Sequence, residues 1–288
     1  MEISRRNAIK ALASTAALAA LPKMRADDAA PAPAKATTGS FDHSVCRWCY
    51  SKMPLEELAM NAKKIGIPSV ELLEPSEWPV VQKQGLTCAM AMGVTKIPEG
   101  LNRLEHHAVM VPGMIERIGA VADAGLPNVI VFSGSRAGMP DEQGLENCAV
   151  ALKQMMAAAE KRRVTVCMEL LNSKINHPDY MCDHTAWGVE LVKRVGSDRF
   201  KLLYDIYHMQ IMEGDVVHTI RDNHQYIGHY HTGGVPGRHE IDDSQELNYP
   251  MIARAIRDTG FKGYLAQEFV PVRDPMTSLA AAVALCTV

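Results

Sequence analysis

Four apolar segments of the chain run into ionisable residues at their last positions, and these are the side chains whose types and spacing could do chemistry together. Val164-Thr165-Val166-Cys167-Met168-Glu169 and Lys201-Leu202-Leu203-Tyr204-Asp205 each close on a carboxylate. Tyr226-Ile227-Gly228-His229-Tyr230-His231 closes on imidazoles, and Gly263-Tyr264-Leu265-Ala266-Gln267-Glu268 returns to a carboxylate. A lone Asp or Glu in such a place is most often a helix cap or a solvated group. Three carboxylates and a His that converge are another matter. Buried together without a cation, the carboxylates repel one another and bear a large desolvation cost. Such a donor set suits one divalent ion of hard to borderline character: Mn2+, Mg2+, Co2+ or Zn2+.

For these residues to meet, the elements that carry them must run in parallel. Runs rich in β-branched or apolar residues recur at 44–48, 69–73, 87–92, 128–132, 164–170, 200–205, 226–231 and 263–269, which predicts eight strands. Between them lie stretches of helical periodicity, such as Leu55, Leu58, Ala59 and Ala62, then Met114, Ile115, Ile118 and Val121, then Val150, Leu152, Met155, Met156 and Ala159. Eight strand-then-helix units in series imply a parallel sheet with helical crossovers, which closes into a single-domain (β/α)8 TIM barrel over residues 41–288. An open doubly wound sheet is the alternative, but no Gly-x-Gly-x-x-Gly follows the first strand. In a barrel the active site forms at the C-terminal ends of the strands, which is where the four ionisable termini fall.

Composition narrows the function. The 288 residues are 47% hydrophobic and 22% charged, with a net charge of −3, so no global field gathers polyanions and nucleic acid is not an expected partner. Small polar molecules are the expected substrates. Residues 1–40 differ from the rest: Ser4-Arg5-Arg6-Asn7-Ala8-Ile9-Lys10 precedes an Ala- and Leu-rich run at 11–21, then an Ala-, Pro- and Asp-rich stretch at 26–38. This reads as a twin-arginine-type export signal followed by a disordered linker, with Ala8 where that pattern has Phe. The apolar run is too short for a stable membrane anchor, and the expected location is periplasmic. The seven cysteines are odd in number and irregularly spaced, so no disulfide framework is implied. Cys46 and Cys49 read as two cysteines carried by one barrel strand, and the 17 methionines, spread at helical core spacing, as core filler.

Taken with their order, Met168-Glu169-Leu170-Leu171-Asn172, Tyr204-Asp205-Ile206-Tyr207-His208-Met209-Gln210, His229-Tyr230-His231, Pro236-Gly237-Arg238-His239-Glu240 and Gln267-Glu268-Phe269 resemble the xylose-isomerase-like barrel superfamily, nearest its hydroxypyruvate isomerase branch. The resemblance spans essentially everything from about residue 41. It implies one divalent ion held by Glu169, Asp205, His231 and Glu268. It implies that Glu169 and Glu268 flank the substrate as the catalytic pair, one taking a proton and the other returning it, and that His208 and Arg238 bind substrate. His231 stands where the isomerases have Gln and matches the related ketose 3-epimerases, which leaves the substrate open. Moving a carbonyl along a hydroxy-ketone requires loss of an α-proton and a held enediolate, work suited to a divalent ion and a positioned carboxylate. A guanidinium at Arg238 is what a substrate carboxylate needs.

Further candidates sit nearby. His229, two residues before His231 and on the same strand face, is a candidate substrate-binding or ligand-orienting group, with packing as the alternative. Trp48 and Tyr50 are candidates for an apolar wall, Glu71 and Glu74 for hydrogen bonds to neighbouring histidines, and His106-His107 for a helix start. The expected activity is a metal-dependent isomerase of a small hydroxy-keto acid such as hydroxypyruvate or tartronate semialdehyde. The alternatives are a ketose 3-epimerase or keto-sugar epimerase or dehydratase on the same site, and a noncatalytic sugar-binding barrel. Members of the superfamily often form dimers or tetramers, which makes a homo-oligomer an open expectation.

Overall fold

The computed structural model describes residues 40–288, so the export signal and nearly all of the linker expected at 1–40 lie outside the described residues. The elements alternate as expected. β1 (Asp42–Cys46) leads through a 3-10 turn at Arg47–Tyr50 to α1 (Leu55–Ile65), then β2 (Ser69–Glu71), α2 (Trp78–Lys83), α3 (Leu104–Asp123), β3 (Asn128–Val131) and α4 (Asp141–Arg162). The second half runs β4 (Thr165–Glu169), α5 (Thr185–Val195), β5 (Phe200–Asp205), α6 (Ile206–Met212), α7 (Val216–Asn223), β6 (Ile227–Thr232), α8 (Tyr249–Asp258), β7 (Tyr264–Gln267) and α9 (Pro275–Cys286).

The seven strands form one parallel sheet in the order β2-β1-β7-β6-β5-β4-β3, curled so that β2 and β3 are its two ends. Nearly every strand position is buried, as parallel strands covered by helices require. The sequence expectation of a regular third strand at 87–92 is corrected here. That segment makes only isolated parallel bridges, Ser69 with Thr87, Leu73 with Ala91, and Ala91 with Val129. It still fills the eighth position of the barrel. Val70 N donates to Thr87 O at 3.1 Å and Leu72 N to Met90 O at 2.8 Å on one side, while Ile130 N donates to Ala91 O at 3.0 Å on the other. The ladder fails because Leu72 adopts a left-handed φ of 58°, which throws the β2 backbone out of register. Side chains replace the missing ladder bonds: Ala89 N donates to Ser69 Oγ and Ala89 O accepts from Asn128 Nδ2, both at 2.8 Å.

Two boundaries matter for the site. The first strand, expected at 44–48, ends at Cys46, and the 3-10 turn that follows swings Trp48 over the barrel mouth. Asp205 ends β5 and caps α6, its Oδ1 accepting from His208 N at 3.2 Å, which sets the three-residue spacing of those two side chains. All seven cysteines are buried and free. Among the described residues no helix is long and apolar enough to cross a membrane.

Candidate functional site

The four expected ligands meet. One donor atom from each of Glu169, Asp205, His231 and Glu268 lies within 4.8 Å of all the others, and all four residues are buried. The ladder explains this: Asp205 is the register partner of His231 across β5 and β6, Glu169 is level with Leu203 across β4 and β5, and Glu268 follows β7 directly. His231 Nδ1 is 2.6 Å from Glu268 Oε2, 3.3 Å from Glu169 Oε1 and 3.9 Å from Asp205 Oδ2.

Beneath this layer Glu71 holds the imidazoles in place. Its Oε1 is 2.8 Å from His229 Nε2 and 2.9 Å from His231 Nε2, and both imidazoles are fully buried. Burial pushes the Glu71 carboxyl up, but the charge of His229 and the hydrogen bonds from both imidazoles outweigh it and hold the pKa down at about 2. A carboxylate only accepts, so His231 Nε2 carries a proton toward Glu71, and Nδ1 is the nitrogen turned to the other three carboxylates. Nδ1 is buried, has no hydrogen-bond partner, and faces only carboxylate oxygens. A buried cluster of carboxylate oxygens around one imidazole nitrogen calls for positive charge, and three carboxylates with one imidazole are a fitting donor set for a divalent ion.

The two glutamates expected to act as a pair, Glu169 and Glu268, differ in their surroundings. Glu268 is tied at both oxygens: Trp48 Nε1 donates to Oε1 at 2.5 Å, and Oε2 takes a hydrogen bond from Arg238 Nη2. Burial pushes its carboxyl up, but Arg238 and His231 turn the balance and hold it well below the usual range. Glu169 has one close oppositely disposed neighbour, His231 at 3.3 Å, and burial, reinforced by the charge of Glu268, raises its carboxyl. Asp205 is pushed up to about 7, by burial first and by the charges of Glu268 and Glu169, against the opposing pull of Arg238. Neighbouring carboxyls driven in opposite directions mark an acid–base pair.

Arg238 comes from the turn after β6. Its Nη2 is 2.6 Å from Asp205 Oδ2, its Nε donates to Glu268 O at 3.1 Å, and its guanidinium lies over the rings of Tyr207 and Trp48. It lines a cavity of about 540 Å³ together with His208, Glu169, Glu268, Asn176 and His177 at the polar end. The rest of the wall is apolar: Trp48, Leu72, Met92, Ile97, Ile130, Phe132 and Leu171. Thus His208 and Arg238, expected to bind substrate, do face the cavity. His229 does not line it and sits beneath, on Glu71. Tyr50 is buried, and Glu74 is exposed and paired with Arg117. His106 and His107 bond to the carbonyls of Gly100 and Leu101 at the start of α3. Sequence reasoning gave no role to Asn172, Asn176 or His177: the first two bond from their loop to His208 and Tyr207 and the third packs its ring on His208, contacts that leave no periodic signal.

A model of the Xylose isomerase-like TIM barrel family matches residues 61–284, and the chain belongs to that family. It is 27% identical over 256 residues to a Homo sapiens protein named "Putative hydroxypyruvate isomerase", covering 87% of each chain. Over 127 residues it is 37% identical to a 2-oxo-tetronate isomerase of Cupriavidus necator, covering 44% of this chain and 46% of that one. Among solved structures it is similar to a D-psicose 3-epimerase of Clostridium cellulolyticum, with a TM-score of 0.71 and 18% identity over 85% of this chain and 98% of that one.

Proposed function

We propose that this member of the family is a metal-dependent isomerase of a small hydroxy-keto acid, of the hydroxypyruvate and tartronate semialdehyde type. The observation that carries the reading is the pair Glu169 and Glu268, brought to one cation-suited site from β4 and β7, with the guanidinium of Arg238 beside them in the cavity wall. The names of the human and Cupriavidus relatives support it. When bound by Glu169, Asp205, His231 and Glu268, a divalent ion supplies Lewis-acid polarisation of the substrate's carbonyl and adjacent hydroxyl oxygens.

The chain's own residues do the rest. Glu169, with the less engaged carboxylate and the raised pKa, takes the α-proton. Glu169 returns that proton to the neighbouring carbon, while Glu268, held ionised, accepts the substrate's hydroxyl proton and passes it to the oxygen that was the carbonyl. His208 hydrogen-bonds the oxygen whose protonation changes, and Arg238 holds the substrate carboxylate through Nη1, its Nη2 and Nε being engaged by Asp205 and Glu268. Trp48 and the apolar wall exclude water from the developing enediolate.

A ketose 3-epimerase, or a keto-sugar epimerase or dehydratase, is the second reading. His231 at the third ligand position favours it, as does a cavity of about 540 Å³, roomier than a three-carbon acid needs. A noncatalytic sugar-binding barrel is disfavoured by the full set of four donors. Export through a twin-arginine-type signal is part of the proposal and rests on the Arg5-Arg6 pattern alone. The test is turnover by the metal-loaded full chain on hydroxypyruvate and on a panel of neutral ketoses, with a chelated control. Metal-dependent conversion of hydroxypyruvate supports the first reading. Conversion of a ketose alone moves the protein to the epimerase class, and conversion of neither overturns both.

A further inference from the structure

We infer that Asn172 is a positioning residue: it fixes His208 as the tautomer protonated on Nε2, so that the imidazole presents a donor to the cavity. The inference deepens the isomerase reading, and only its kinetic arm rests on that reading. Asn172 is fully buried in the loop after β4, and His208, on α6, is 1% exposed. The Asn172 amide has one orientation. Its Oδ1 accepts from Ile175 N at 3.0 Å and Asn176 N at 2.9 Å, so the group pointing the other way is the donor Nδ2. Nδ2 is 2.7 Å from Asn176 Oδ1 and 2.6 Å from His208 Nδ1, and Asn172 N also donates to Nδ1, at 3.2 Å.

On its other side, His208 Nε2 lies 2.5 Å from Arg238 Nη1, which is also a donor. A neutral imidazole has one acceptor nitrogen and cannot serve donors at both ends. The contest is unequal. Two donors face Nδ1, a backbone amide and a side-chain amide locked by a turn, whereas Nε2 faces one donor, Nη1, and has the carboxylate oxygen Asp205 Oδ2 3.7 Å away. Nδ1 therefore keeps the lone pair and Nε2 carries the proton. The planar guanidinium must then shift as a unit from its contact with Nε2 toward the cavity that it lines, which brings Nη1 to a substrate carboxylate.

The test is imidazole 15N NMR of the full chain with labelled histidine, His208 being assigned by the signals missing from His208→Gln. Wild type is expected to show a pyridine-like Nδ1 and a pyrrole-like Nε2. Asn172→Asp retains the acceptor that caps Ile175 and Asn176 but replaces the donor facing Nδ1 with an acceptor, so Nδ1 becomes protonated. On the isomerase substrate kcat falls by roughly 10²-fold with KM little changed, because a donor to the reacting oxygen is lost. A protonated Nδ1 in wild type, or an Nδ1 that stays pyridine-like in Asn172→Asp, overturns the inference. Neither spectrum needs a substrate, so failure of the isomerase reading leaves this test intact.

Discussion

The two halves of the barrel mouth are built differently. From β4 to β7 the ladder is regular apart from one irregularity at Leu202 and Leu203, and each strand end delivers one donor to a shared point. From β1 to β3 the ladder is broken at 87–92, and the residues presented to the cavity are Trp48, Leu72, Met92, Ile97, Ile130 and Phe132. In the proposed function four donors share one ion and tolerate little misplacement, which a regular ladder supplies. An apolar wall needs bulk rather than exact placement, and irregular backbone suffices there. Among the described residues the one carboxylate that the β1–β3 half sends inward, Glu71, does not reach the cavity and instead orients the imidazoles of β6.

Substitutions can break this contrast, beginning with the largest effect. Glu169→Gln and Glu268→Gln should each lower turnover below a tenth of wild type, and by about 10²- to 10⁴-fold where a proton-transfer group is lost, with circular dichroism and thermal midpoint preserved. A variant retaining more than about a tenth of the activity would refute the assigned role. Arg238→Ala should raise KM for hydroxypyruvate by roughly 10-fold or more and for neutral ketoses far less, since one cation–carboxylate contact is removed. Equal effects on both substrates would remove its clamp role.

On the other half the effects should fall on stability and leave chemistry alone. Here His43 is buried against Phe41 with only Thr287 as a hydrogen-bond partner, and burial lowers its pKa from 6.5 to about 4. The unfolded chain therefore binds a proton that the folded chain refuses. Stability from this group is complete above about pH 6.5 and is lost as pH falls toward 4, by up to about 1.4 kcal/mol per pH unit within that window. Urea midpoints taken from pH 7 to 4 should fall less steeply in His43→Gln, and an unchanged slope would contradict the assignment. The smallest effect belongs to Ser69→Ala. It strands the buried Ala89 amide and should cost about 1 kcal/mol in urea unfolding with kcat within about twofold of wild type. A large loss of turnover there would show that the irregular half also sets the ligand geometry.

The charged half was also the legible half. Apolar runs that end on Glu169, Asp205, His231 and Glu268 carry their signal locally, and a parallel register then suffices to bring them together. Residues 87–92 have strand-like composition, whereas the broken ladder there depends on the left-handed backbone at Leu72, which no periodicity records. His229 was placed on the correct strand face, yet a neighbour from β2 decides that it serves Glu71 rather than the cavity. Asn172 was visible only as part of a motif. Its role depends on two backbone amides of its own loop and on a histidine from α6, a convergence that the linear sequence does not display.

The central claim is that Glu169, Asp205, His231 and Glu268 hold one divalent ion. Calorimetric titration of the chelator-stripped full chain with Mn2+ tests it most directly, repeated with Asp205→Ala and His231→Ala. The account predicts one site per chain in wild type and an affinity weakened by about 10- to 100-fold or more in each variant. Absence of binding in wild type, or equal binding by folded variants, would contradict it.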